Sequence, residues 1–453
     1  MSLMKIETII FRPYTWIINI IGRVSMRISP KARDVVMNLS LLLLSFIGIA
    51  KYLNVRAKHL IHYHKNSAIM LGCILLMLLL VVSIDRKIDS QNVRCRRGFV
   101  IGWLLCFGMA FIMTFIHPVT KGYFLWTVIS LIFAIPFAMI WSERGDFDYL
   151  CDILARNVLI AVVVFILMNL TLTPFITYTG AGDYLGVAAN ANNNGFMCTA
   201  GYTAALYKLL HDRKHHVLYA IIMGFCIAIT VASICRTGEL AIIAETLAGL
   251  IYFLGIVKTT GEDAQLSKLV ISAVIILLIA YTARPFLIRL DQTDLNSYAL
   301  TGDGVAAEET QGQDIHGTID AVSSGRVSIW KAYISNSTFW GNGNKTKGPQ
   351  LEGNADSRYA HNNAIEVLFV SGYIAFAGYV IWIISGLVFV IRCFMGKYGW
   401  HKSYIMVVMA FTGYFIQAML EILIYPMNNI PALMMYVCLM PIVLDMRDGN
   451  ESE

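Results

Sequence analysis

The sequence predicts an all-α, polytopic integral membrane protein with about twelve transmembrane helices and one long extracytoplasmic loop. Three observations predict it. Of 453 residues, 57% are hydrophobic and 14% are charged, against roughly 25% charged in soluble domains. Apolar runs of about 17–25 residues, the length that crosses a bilayer, recur along the whole chain. Lysine and arginine collect in alternate connections, as they do in cytoplasmic loops.

Each element follows from those patterns. Residues 1–34 form a basic cytoplasmic segment, with no small-residue cleavage pattern after an apolar stretch, so no cleaved leader is expected. Residues 35–283 hold nine spans, roughly 35–53, 67–84, 99–116, 123–141, 157–175, 195–210, 216–234, 239–257 and 269–283. Residues 284–363 make the long outer loop. Residues 364–445 carry a short or re-entrant helix and three further spans, at 372–391, 403–420 and 430–444, before a cytoplasmic tail at 446–453. The basic connections "DRKIDSQNVRCRR" (85–97), "YKLLHDRKHH" (207–216) and "RCFMGKYGWHKS" (392–403) set the orientation, with both termini cytoplasmic. One connection disagrees: "KYLNVRAKHLIHYHK" (51–65) is basic yet falls outside. Either the first span is misplaced or that loop lies along a lipid surface.

Several patterns imply little chemistry. The nine cysteines are odd in number, lack CxxC spacing and lie in or beside apolar runs, so they are expected as small buried hydrophobes. The net charge of +6 suits cytoplasmic loops and does not imply nucleic acid. "GNGNKT" (341–346) ends like a phosphate-binding loop, but Asn344 stands where glycine must precede the lysine, and no strand leads into it. "DFD" (146–148) matches the acidic pair of metal-dependent sugar-nucleotide transferases, in a cytoplasmic loop remote from the other polar motifs. His59, His62 and His64 have no acidic partner nearby in sequence for a metal.

The polar residues of the outer face are more informative. Arg236, in "CRTGE" (235–239), is an interfacial anchor, a partner for Glu239, or a clamp for an anion, because guanidinium presents a planar fork to phosphate. Arg326 opens the amphipathic "RVSIWKAYI" just after "SSG", where free N–H groups favour anions. In "YAHNNAIEVLFVSGY" (359–373), Asn362 and Asn363 suit a helix cap. His361 is either a satisfied loop residue or a general base working near neutral pH. Glu366, inside the apolar helix, needs a partner, for which His361 or a nearby arginine would serve.

Together, "R-T-G" at a span edge, "GRVSIWKAYI", "FWGNGN" and "HNNAIEVLFVSGYIAF" resemble, in order, the motifs of the O-antigen ligase and Wzy polysaccharide polymerase superfamily. "GVAANANNNG" (186–195) resembles that family's Gly…Asn-Pro-Asn loop, with Ala191 in place of the usual proline. The resemblance covers roughly residues 186 to 390. It implies a glycosyltransferase of the bacterial inner membrane that needs neither metal nor cofactor. The donor it implies is a glycan on undecaprenyl diphosphate, with a flippase and a chain-length regulator as partners. By the same resemblance Arg236 and Arg326 clamp the diphosphate and His361 activates the acceptor. Asn190, Asn192, Asn362, Glu366 and Arg358 are the candidate substrate contacts around them, and Arg284 and Arg289 lie on the same outer side. A polymerase of lipid-linked repeat units is expected, with a ligase to another acceptor as the alternative. A transporter is the reading of a different class. It predicts two related six-span halves, for which no repeat is found, and charged residues near mid-membrane, where Glu245 and Glu421 are the candidates.

Overall fold

Ser29 and Pro30 open the first long apolar helix in the usual way, the serine side chain accepting from Ala32 N and the proline standing in the first turn. Asn54, Thr120, Asn362 and Asn429 cap later helices with their side chains in the same way in the computed structural model, which describes residues 3–88, 95–176, 184–211, 214–261, 265–301, 326–346, 348–349, 359–426 and 429–444. The first six helices are α1 (Leu3–Ser25), α2 (Pro30–Ala50), α3 (Val55–Leu60), α4 (Lys65–Ser83), α5 (Arg97–Met113) and α6 (Lys121–Arg144). Then come α7 (Phe147–Ile176), α8 (Ala191–His211), α9 (His216–Ala232), α10 (Arg236–Thr260) and α11 (Leu266–Thr301). The chain closes with α12 (Arg326–Ser335), α13 (Asn363–Phe394), α14 (Tyr404–Ala418), α15 (Ile430–Val437) and α16 (Met440–Val443). No strand occurs among the described residues.

Six of these helices are long and apolar enough to cross a membrane: α2, α6, α7, α10, α11 and α13. Apolar helices within α4, α5, α9 and α14 are shorter. Each predicted span coincides with helix, but the last does not form one rod. Residues 430–444 divide into α15 and α16, because Pro441 denies the helix an N–H and crowds the preceding turn. Two further boundaries differ from the sequence reading. The basic segment before residue 35 is itself largely helical, as α1, and buries Phe11, Thr15 and Ile18 along one stripe. The helix at 266 continues past Pro285 to Thr301, so the connection that follows begins later than residue 284.

Two close approaches hold the bundle. At the crossing of α5 and α13, a Cβ on Gly102 would lie 2.5 Å from Trp382 N, and one on Gly378 2.4 Å from Cys106 N. Backbone meets backbone there, the small-residue packing that membrane helices use where burial from water supplies no drive. Around that crossing Trp103 meets Trp382 edge-on, ring centroids 5.3 Å apart. The second approach joins the N-terminal ends of α8 and α10, where a Cβ on Gly238 would lie 2.9 Å from Gly195 Cα. α8 is enclosed on all sides from Asn193 to Leu210. α11 instead presents Val270, Val274, Leu277, Leu278 and Tyr281 outward, an apolar face suited to lipid. All nine cysteines are buried and free.

Candidate active site

The first turn of α13 builds the site. Asn362 is its N-cap, its side-chain oxygen accepting from Ala364 N at 2.9 Å and Ile365 N at 3.2 Å. Its amide donates to Met419 O at 2.8 Å. Asn363 is not a second cap. It lies inside the helix, fully buried, donating to Tyr414 Oη at 3.1 Å and accepting from Leu423 N at 2.6 Å. The two asparagines thus tie the chain that leaves α14, residues 419–423, to the start of α13. That tie brings Glu421 opposite His361.

His361 has φ 49°, in the left-handed region that non-glycine residues seldom enter. Its neighbours fix this conformation. Trp330 Nε1 donates to Ala360 O at 2.9 Å, and Ala360 N donates to Glu366 Oε2 at 3.1 Å. The partner of Glu366 is therefore a backbone N–H, and His361 bonds to a different carboxylate. The helical position of Glu366 lets it reach back over the first turn to a peptide group that precedes the cap.

Glu421 is the hub. His361 Nδ1 lies 3.0 Å from its Oε2, Arg326 Nη2 donates to its Oε1 at 2.9 Å, and Asn192 Nδ2 donates to the same oxygen at 2.7 Å. The carboxylate is only 10% exposed whereas His361 is 38% exposed, so the charge is sheltered while the imidazole reaches solvent. A buried carboxylate needs such donors, since burial without them costs several kcal/mol. Glu421 also acts on its surroundings: the Tyr52 phenol is pushed up first by burial and then by this negative charge. Burial pushes the nearby Cys235 thiol up to about 12.

His361, Glu421 and Glu366 face a cavity of about 500 Å³. Asn190, Asn193, Lys51 and a wall of aromatic rings (Tyr52, Tyr123, Trp126, Tyr359 and Tyr425) complete it. Gly343 and Asn344 of "FWGNGN" close one side. Gly341 and Gly343 adopt φ of 79° and 74°, and Asn342 N and Gly343 N bond Phe369 O and Val370 O at 2.8 and 3.1 Å. Asn344 is a structural clip, accepting from Thr120 N at 2.8 Å, so this loop shapes the cavity and is no nucleotide cradle.

Among the candidate residues, His361, Asn190 and Glu366 line the cavity, and Arg326 and Asn192 join it through Glu421. Asn190 also caps α8, accepting from Asn193 N at 3.0 Å. Arg236 is exposed in the first turn of α10 and is not among the lining residues. Its neighbour Cys235 approaches Asn192 Oδ1 at 3.7 Å, one contact away from Glu421. Arg284 and Arg289 do not line the cavity. Arg358 lies outside the described residues, as does "SSG" before Arg326. Glu421 was visible in sequence only as a carboxylate in an apolar run, and Lys51 only as part of the basic loop that broke the charge pattern. Of the other acidic candidates, Asp146 is held by a two-pronged pair with Arg144 at 3.0 Å. Glu245 accepts from Thr203 Oγ1 at 2.7 Å, deep between α8 and α10. Its room is made by Gly413, where a Cβ would lie 1.6 Å from Glu245 Oε1. Among the described residues no three His, Cys, Asp or Glu side chains gather as a metal site.

No family model matches the chain, and no curated protein matches it.

Proposed function

We propose that the protein is a membrane glycosyltransferase that polymerises undecaprenyl-diphosphate-linked repeat units on the outer face of the bacterial inner membrane. In this reading the chain has twelve spans, cytoplasmic termini and a long outer connection between α11 and α13. The observation that carries the proposal is the His361–Glu421–Arg326 cluster at the cavity. It supplies both halves of a glycosyl transfer: a base for the acceptor and a cation for the departing phosphate.

The chemistry follows from the contacts. With Nδ1–H donated to Glu421, the imidazole keeps Nε2 as its acceptor, and the carboxylate stabilises the imidazolium that forms. The acceptor hydroxyl passes its proton to Nε2 as its oxygen attacks the anomeric carbon. The anomeric C–O bond to diphosphate breaks, its electron pair leaves with the phosphate, and attack from the opposite face inverts the centre. Arg326 spends one prong of its fork on Glu421 and keeps further N–H donors to offer the growing charge, the preorganised stabilisation that most lowers such barriers. Arg236, at the start of α10 beside Cys235, belongs to the same clamp when substrate is bound.

The test is His361→Ala expressed in a deletion strain, with protein level checked by blot. Loss of high-molecular-weight glycan, with single lipid-linked repeat units accumulating, is expected. Long chains left on the lipid carrier point to a ligase instead. Wild-type polymer would remove His361 from the reaction.

A further inference from the structure

α1 is 23 residues long, the length of a span, yet it is not among the helices apolar enough to cross a membrane. One stripe of it faces the bundle, with Phe11, Thr15, Ile18 and Ser25 buried. Ser25 Oγ lies 2.6 and 2.7 Å from the carbonyl oxygens of Val81 and Ile84, at the end of α4. Asn19 exchanges two bonds with Ile88, donating to its carbonyl and accepting from its N–H, both at 2.9 Å. A Cβ on Gly22 would lie 3.0 Å from Ile84 Cγ2, so the helix rests closely on that end. These contacts seat α1 on the end of α4 that faces the cytoplasm in the proposed topology.

The outward side of α1 is divided lengthwise. Arg12, Trp16 and Arg23 follow one another at helical spacing along one edge, with Arg27 just past the last turn, and all four are exposed. Ile17, Ile20 and Val24 are exposed along the adjoining edge, Val24 and Trp16 each to 66%. Among the described residues none of the three guanidinium groups has a bonding partner. The sequence supplies no local counter-charge: from Thr8 to Arg33 it holds five basic residues and no Asp or Glu. Asp85, just after α4, is already paired with Arg86 at 3.0 Å. Arginine and tryptophan beside an apolar edge make the pattern of a helix that lies in the membrane interface. A soluble polyanion would leave Ile17, Ile20 and Val24 in water, whereas a phospholipid covers both edges, with its chains on one and its phosphate on the other. A zwitterionic head group would bring a cation of its own to the arginines. We propose that the outward face of α1 is a docking surface for anionic phospholipid of the phosphatidylglycerol class. The inference does not depend on the reaction proposed above.

The test uses the full-length chain carrying Val24→Cys, labelled with bimane and purified in detergent. The nine native cysteines are buried, so the label reports the apolar edge of α1. The chain is titrated with phosphatidylglycerol or phosphatidylcholine bearing an energy-transfer acceptor on one acyl chain. Phosphatidylglycerol is expected to quench bimane at the lower concentration, and added salt to reduce its advantage. Arg12→Gln, Arg23→Gln and Arg27→Gln, combined in one chain, are expected to raise its midpoint about fivefold for each arginine removed. The phosphatidylcholine midpoint and the thermal unfolding midpoint should not move, and the three corresponding lysine substitutions should keep most of the preference. Equal midpoints for the two lipids, an unchanged phosphatidylglycerol midpoint in the glutamine variant, or equal loss in the lysine variant overturns the proposal. Displacement of phosphatidylglycerol by inorganic phosphate, beyond that by sodium chloride of the same ionic strength, would reassign the arginines to a soluble anion and overturn it as well.

Discussion

Glu421 joins three side chains from three parts of the chain, Asn192, Arg326 and His361, and it does so from a short non-helical stretch after α14. Its negative charge serves two of them differently. It orients the imidazole, and it keeps the Arg326 guanidinium from swinging into solvent. Glu421→Gln preserves size and hydrogen-bonding capacity but removes the charge. We expect it to lower the rate of polymer formation roughly 100-fold, the scale of an impaired general base. Expression and thermal stability in detergent should stay near wild type, measured beside in vitro polymerisation of lipid-linked repeat units. A rate within a few-fold of wild type would mean that Glu421 merely fastens Arg326. The unusual φ of His361 belongs to the same scale. Backbone strain of this kind costs about 1–3 kcal/mol and persists where the surroundings over-determine it, here through the bonds to Ala360 on both its N–H and its carbonyl.

At the scale of elements, the break in α13 matters most. Gly372 has φ 85° and ψ 179°, so the segment before it is a short helix and the segment after it a separate rod. Across the break, Tyr373 N bonds Phe339 O at 3.1 Å and Gly343 N bonds Val370 O at 3.1 Å. The loop after α12 is thereby sewn to the peptide groups that the broken helix releases. A Cβ at Gly372 would meet Phe339 O at 2.2 Å, with no flexible side chain to give way. Gly372→Ala is expected to cost about 1–3 kcal/mol in backbone strain alone, lowering the midpoint of thermal unfolding and loosening the cavity wall. Gly108→Ala is the control: a Cβ there would meet nothing within 4 Å, and alanine favours helix. Equal midpoints for the two variants would contradict this account of the break. The glycine at the end of the apolar run "HNNAIEVLFVSG" is thus required by the backbone.

At the scale of the whole molecule, the proposed orientation is directly measurable. The nine native cysteines are buried, so an introduced thiol reports its own side of the membrane. Tyr359→Cys, exposed beside the cavity, is expected to react with a membrane-impermeant maleimide in intact spheroplasts. His215→Cys, exposed between α8 and α9, should react only after permeabilisation. The reverse pattern would turn the site to the cytoplasm and end the case for a lipid-linked donor.

The helices themselves were legible in the sequence, because apolar run length and capping residues are local properties: each predicted span overlaps helix, and "RVSIWKAYI" forms α12 as its pattern suggests. His361, Asn362 and Glu366 were legible as a group for the same reason, lying close to one helix start. The exceptions were set by distant contacts. Asn363 turns inward because Tyr414 and Leu423 offer it partners. Glu421 acquires a role only when the chain after α14 is tied back to α13, some 60 residues earlier in sequence. Lys51 comes to line the cavity only where the end of α2 meets α6 and the loop before α8. Sequence alone determined which segments are helical and which polar residues are costly to bury; tertiary packing decided which of them share a cavity, because charge and hydrogen-bond partners are chosen across space rather than along the chain.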